Sequence, residues 1–234
     1  MPPRFASTRD WILLTGKPGC GKTTAVQRLC KALQEAGLPV QGFVTQEVRD
    51  EDGKRQGFDL VTVPAGRRVP LARKQGLPFS SPRTGAYLVD VESIDRIAVP
   101  TLALGATNQS EEATTAAGLM EQSQAQANTK PAVYILDEIG RMELHSEAFR
   151  AAVQTLLQSQ VRLVGTIAEA RGISFCDFVK AQDGVQVHQL TRTTRKQVTI
   201  DLLSYIQEYW IDSDQKDTEN KHPVPRVTER QPQI

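Results

Sequence analysis

The feature that most constrains this chain is a run of eight residues, Gly16-Lys17-Pro18-Gly19-Cys20-Gly21-Lys22-Thr23, lying between two segments of different period. Before it, Trp11-Ile12-Leu13-Leu14-Thr15 has the length and make-up of a buried strand. After it, Ala25, Val26, Leu29, Cys30, Leu33 and Ala36 recur at helical spacing until Gly37, a residue suited to a helix C-terminus. Between them stands a full G-x-x-x-x-G-K-[ST] phosphate loop. With Gly at about 7% of residues and Lys, Ser and Thr at about 6% each, the pattern arises by chance at roughly 1 in 30,000 positions, so accident explains it poorly. Chemistry explains it well. Gly16, Gly19 and Gly21 let the backbone curl with its N–H groups pointing inward at an anion, where a Cβ would crowd the phosphates. The helix that follows brings its N-terminal dipole and unpaired N–H groups to the same spot. Lys22 can reach the β- and γ-phosphates, and the Thr23 hydroxyl can ligate Mg²⁺. The bland alternative, a glycine-rich turn with a surface lysine, leaves the flanking strand and helix unaccounted for.

Further along, apolar runs and helical periods alternate. Val40 to Thr45 reads as a second strand. Turn signals at 50–53 and 64–66 bracket Phe58 to Val63, so an antiparallel excursion of two or three strands is expected up to about Leu71. Gly85 to Val89 reads as a strand, and Pro100 fits the first turn of a short helix. Strands are expected at 133–136, 161–167 and 185–190, with a helix over 174–181. A helix capped by Ser146 carries Ala148, Phe149, Ala152, Val153, Leu156 and Leu157, and a last one presents Val198, Leu202, Ile206 and Tyr209. Residues 106–130 are rich in Gln, Ser, Thr, Asn and Ala without an apolar period, which reads as a loop insertion. Residues 212–234 are polar and proline-bearing, which reads as a disordered tail. The expectation is a single α/β domain over 1–211, layered around a mostly parallel sheet with an antiparallel hairpin excursion.

Charge excludes little but is informative. Lys and Arg number 28 against 27 Asp and Glu, a net charge of +1, so there is no electrostatic case for nucleic acid or an acidic membrane as the main partner. No apolar run approaches the roughly 20 residues of a membrane span, and the start lacks the apolar stretch of a secretory signal. Cys20, Cys30 and Cys176 show no metal-like pairing and read as free thiols, so an intracellular, cytoplasmic location is expected.

A phosphate loop needs a carboxylate element on a neighbouring strand to manage metal and water. Val133-Tyr134-Ile135-Leu136-Asp137-Glu138 supplies it, with two acids at the carboxyl end of a strand, where ligands sit in open α/β sheets. Asp137 would hold Mg²⁺, and Glu138 would polarise the attacking water. Alone, such a pair reads more simply as acids capping the next helix, but beside a phosphate loop that reading recedes. Lys17 reads as solvated and Cys20 as a small filler. His145, His188 and His222 are isolated. Arg171, Arg192 and Arg195 are candidates for stabilising transition-state charge, and the Arg67-Arg68 pair reads as solvating a hairpin.

Gly16 to Thr24 (GKPGCGKTT), Gly42 to Arg49 (GFVTQEVR), Gly57 to Val63 (GFDLVTV), Tyr87 to Glu92 (YLVDVE) and above all Asp137 to Leu144 (DEIGRMEL) together resemble the nucleoside-triphosphatase family first recognised in thermophiles, which has a human cancer-related member. The resemblance runs in order from Trp11 to Leu203, omitting 106–130 and the tail. It implies a P-loop NTPase three-layer sandwich, monomer-sized, that hydrolyses Mg²⁺-bound nucleoside triphosphates to diphosphate and phosphate with little base preference. By resemblance, the nucleotide-binding residues are Gly16, Lys17, Pro18, Gly19, Cys20, Gly21, Lys22, Thr23 and Thr24, with Ile135, Asp137, Glu138 and Gly140. Glu138 and Lys22 are the catalytic pair, Thr23 and Asp137 the Mg²⁺ ligands, and Glu143 a motif acid without an assigned role. Two departures stand out: Ala168 where some members have His or Pro, and Thr191-Arg192-Thr193-Thr194-Arg195, which keeps the arginine of T-x-x-N-R but lacks its asparagine. Two alternatives stay open, a P-loop kinase for a small molecule and a slow nucleotide-dependent switch.

Overall fold

A computed structural model describes residues 10–104, 133–169 and 172–212. The expected insertion at 106–130 and, apart from Asp212, the expected tail lie outside the described residues.

The strand–loop–helix unit forms as its pattern dictates, with β1 at Asp10–Thr15 and α1 at Lys22–Glu35. Strands β2 (Val40–Arg49), β7 (Val133–Ile139), β8 (Arg162–Ile167) and β9 (Val185–Gln189) complete a parallel set with β1, in the order β2-β7-β8-β1-β9. The helices between them are α2 (Val91–Ser93), α3 (Glu147–Gln158), α4 (Ser174–Lys180) and α5 (Arg195–Ile206). A parallel strand is covered on both faces, so its residues divide by parity. Trp11, Leu13, Tyr134 and Leu136 pack toward α3 and α4, whereas Ile12, Leu14, Val133 and Ile135 pack toward α1 and α5. Three layers result.

The antiparallel excursion is larger than the turn signals imply. Strands β3 (Arg55–Val63), β4 (Arg68–Arg73), β6 (Tyr87–Val89) and β5 (Arg83–Thr84) extend the sheet outward from β2, reaching Val89 rather than stopping near Leu71. Strand β2 accordingly runs to Arg49, because its second half pairs with β3. Arg68 does more than solvate the hairpin: with Arg73 it ion-pairs Asp59, a carboxylate only 7% exposed. Pro100 sits in the first turn of a 3₁₀ segment, Val99–Leu102, but this continues a π turn, Ile94–Ala98, that follows α2 directly.

Ser146 caps α3 as expected, its Oγ accepting from the Phe149 N–H at 2.9 Å. At the C-terminal end, α5 passes into a π turn, Gln207–Ile211. Tyr209 packs against the core as expected but is only half-buried, and Trp210 and Ile211 in the π turn are the residues buried most deeply there. Asp10 at the start of β1 fastens this end, accepting from Trp210 Nε1 at 2.7 Å and Tyr205 OH at 2.6 Å.

Candidate active site

The parallel strands β2, β7, β8, β1 and β9 all end at one edge of the sheet, and the site is assembled there. Immediately beyond β1 the backbone turns through Gly16, against which Leu190 at the end of β9 packs so closely that a Cβ on Gly16 would stand 2.3 Å from the Leu190 carbonyl oxygen. Gly21 is the N-cap of α1 at φ 105°, a left-handed conformation disfavoured for side-chain-bearing residues. No side chain caps this helix and its first turn holds no acid, so its leading N–H groups stay available to an anion. Lys22 Nζ donates to the Gly16 carbonyl at 2.9 Å, which folds its ammonium back over the mouth of the loop. Lys17, Pro18, Gly19 and Thr24 are exposed along the same loop, while Cys20 is buried against Gly16 as a filler.

Two strands away, β7 brings up the acids. Asp137 is 1% exposed, and both its oxygens are engaged: Oδ1 accepts from Thr166 Oγ1 on β8 at 2.7 Å and Oδ2 from Thr45 Oγ1 on β2 at 3.2 Å. A carboxylate held by hydroxyls from both neighbouring strands is fixed in direction before any ligand arrives. Glu138 follows across a cis peptide bond and is half-buried. Burial pushes its carboxyl above the ordinary range, the Lys22 ammonium pulls it back, and Asp137 adds to the rise. Lys22 and Glu138 therefore share one electrostatic site although they are 116 residues apart in sequence.

Glu143, the motif acid without an assigned role, lies beside Glu138. It sits in a 3₁₀ turn, Glu143–His145, and is buried, with a Cβ on Gly140 placed 3.1 Å from its Oε2 and 3.2 Å from the Glu138 carboxyl carbon. Burial first, and the Glu138 charge second, drive the Glu143 carboxyl well above the ordinary range, against opposing hydrogen bonds from its own and the Gly140 backbone. Gly140 is thus the gap that lets two carboxyl groups close around one turn. Ile135 is fully buried among residues facing α1, so its side chain serves the site by seating the strand that carries Asp137.

Of the three candidate arginines, Arg195 reaches the loop: a Cβ on Gly21 would lie 3.2 Å from its Cδ. Arg192 is exposed, and Arg171 lies outside the described residues. Thr23 and Asp137 offer a hydroxyl and one carboxylate, and among the described residues no cluster of three or more His, Cys, Asp or Glu forms a metal cage. That donor set fits Mg²⁺, which takes few protein oxygens and completes its shell with water and substrate phosphate.

The protein family described as NTPase matches residues 11–203. The chain belongs to that family. A mouse relative, the cancer-related nucleoside-triphosphatase homolog, is 36% identical over 202 residues, covering 84% of this chain and 96% of the relative. The nucleoside-triphosphatase THEP1 of Thermotoga petrophila is 35% identical over 192 residues, covering 82% of this chain and 90% of its own. The solution structure of a human cancer-related nucleoside triphosphatase superposes with a TM-score of 0.64 at 32% identity, covering 86% of this chain and 98% of that one. The matched NTPase span contains the phosphate loop, the β7 acids and Arg195, so the whole described site falls inside it.

Proposed function

We propose that this NTPase-family chain hydrolyses nucleoside triphosphates to the diphosphate and inorganic phosphate. The observation that carries the reading is the uncapped, acid-free start of α1 at the glycine loop, with Lys22 on the Gly16 carbonyl, at the same sheet edge as Asp137 held by Thr45 and Thr166. The triphosphate lies along the glycine loop, its β- and γ-phosphates on the inward N–H groups and Lys22. Glu138 holds the water in line and takes its proton, a task served by a carboxyl drawn toward neutrality. Thr23 and Asp137 would hold Mg²⁺, which when bound would offset the charge of the triphosphate. Thr45 and Thr166 keep Asp137 aimed.

Arg195 packs against Gly21 at the N-cap of α1 and adds a cation beside the triphosphate, and no contact to a base is assigned, in keeping with weak base discrimination. Phosphate release from ATP, GTP, CTP and UTP with Mg²⁺ and no added acceptor tests the reading. Steady release at efficiencies within about a hundredfold of one another is expected. Turnover only when a phosphate acceptor is supplied would assign transfer instead.

A further inference from the structure

Beyond the phosphate loop, a cleft of about 340 Å³ opens between the turn that follows Glu138 and the start of α4, lined by Arg141, Leu144, Arg150, Gly172, Ile173, Ser174 and Phe175. Its lining is one-sided in charge: among the described residues it holds two arginines and no acidic residue. Neither arginine has an ion-pair partner among the described residues, although Arg68, Arg73, Arg49, Arg55 and Arg96 all do. Arg150 Nε is buried and makes no hydrogen bond there. A buried guanidinium N–H without an acceptor is unfavourable, and two arginines lining one cleft without a counter-ion among the described residues leave it suited to an anion. The remaining wall is apolar, from Leu144, Ile173 and Phe175, with the Ser174 side chain at its rim. The volume exceeds what a bare phosphate needs and falls within the range of small-molecule sites.

We infer that this cleft is a second ligand site, separate from the phosphate loop, that takes a phosphate monoester: the phosphate between Arg141 and Arg150, the apolar or aromatic body over Phe175. Planar guanidinium forks match phosphate oxygens in pairs, and the bonds they make are charge-assisted. Phe175 supplies a ring face on which a flat body can lie. Arg141 is three residues beyond Glu138, so occupation of the cleft adjoins the turn carrying the hydrolytic carboxyl.

The test fills the phosphate loop first, with a Mg²⁺-bound non-hydrolysable triphosphate at saturation, and then titrates AMP in one arm and inorganic phosphate in the other. Calorimetry reads affinity, and backbone amide resonances of Gly172 to Phe175 read location. Both probes are expected to bind and to move those resonances, AMP more tightly because its body covers Phe175. Arg150→Gln, and separately the exposed-site variant Arg141→Gln, should each weaken both probes at least about tenfold, the usual loss for a charge-assisted contact. Triphosphate affinity in the same variants should stay within about twofold, which separates this site from the loop. Absence of binding by both probes once the loop is filled overturns the inference, as does binding that neither arginine substitution weakens.

Discussion

Two glutamates on one turn are driven to different duties by their surroundings. Glu138 is half-buried with Lys22 opposing its rise, whereas Glu143 is fully enclosed with Glu138 as a like-charged neighbour. In the proposed mechanism the first acts on water, while burial and the neighbouring Glu138 charge favour the protonated form of the second. Glu138→Gln preserves size but removes the carboxylate, so single-turnover hydrolysis should slow by about 10² or more, with triphosphate affinity by titration changed less than about threefold. Near-normal hydrolysis would move the base elsewhere. For Glu143 the reasoning reverses, because Gln mimics its protonated form. Its folded pKa lies above the unfolded value, so the folded state binds the extra proton. The stability this contributes is fully present below the unfolded value near 4.5 and declines as pH rises toward the raised folded value. Glu143→Gln should therefore flatten the pH dependence of chemical denaturation above pH 4.5, and near pH 7 should be at least as stable as the parent. A variant whose stability falls with pH as steeply as the parent's would show that Glu143 does not hold the proton.

Elements reveal which parts of the molecule were legible and why. The parallel strands and α1 and α3 follow from local pattern, since each is apolar on the faces that the layers cover and the two helices begin at Gly21 and Ser146, residues suited to an N-cap. Strands β5 and β6 did not announce their partners, because two or three residues carry too little alternation and their pairing is decided by β4. The π turn after α5 was equally silent, since Trp210 continues the spacing of Leu202 and Ile206 and nothing in that spacing marks the widened turn. At the site, the loop and the β7 acids were readable because each residue type has its own task, but Thr45 and Thr166 were not. They act through strand neighbours, which only register reveals. Arg195 was one of three candidate arginines in the sequence, and only the fold singles it out, α5 placing it at the loop from 174 residues away in sequence from Gly21. From its position at the N-cap of α1, Arg195→Ala should raise the Kd of all four triphosphates about three- to thirtyfold while leaving single-turnover hydrolysis of the bound complex within about threefold. A collapse of the chemical step with affinity intact would place this guanidinium on the γ-phosphate.

At the scale of the whole molecule, the question is which lengths of chain the fold uses. Both flanks of the 105–132 stretch are pinned to the sheet: the Ala103 carbonyl accepts from Tyr134 OH at 3.2 Å and Gln41 Nε2 at 3.0 Å, and the Val133 N–H donates to Pro39 at 2.8 Å. Ends held this close can be joined by a few residues, and closing a shorter loop lowers the entropic cost by about 0.6 kcal/mol per halving. Replacing 106–130 with a short Gly-Ser linker should thus leave thermal unfolding and triphosphate hydrolysis nearly unchanged. The C-terminal side has a sharp boundary instead. Trp210 is 1% exposed, Ile211 is 5% exposed, and Trp210 Nε1 donates to the Asp10 carboxylate at the start of β1. A chain ending at Asp212 keeps all of this, whereas one ending at Glu208 opens the α1–α5 core and leaves Asp10 without one of its donors. Loss of a buried Trp is worth about 3–5 kcal/mol, and at about 2–4 °C per kcal/mol for a chain of this size the shorter truncation should melt roughly 6–20 °C lower. The longer one should melt within about 2 °C of the full chain. Calorimetric melting of the two truncations decides it: a large drop already at Asp212 would mean that residues 213–234 dock on the fold, and no drop at Glu208 would mean that the π turn contributes nothing.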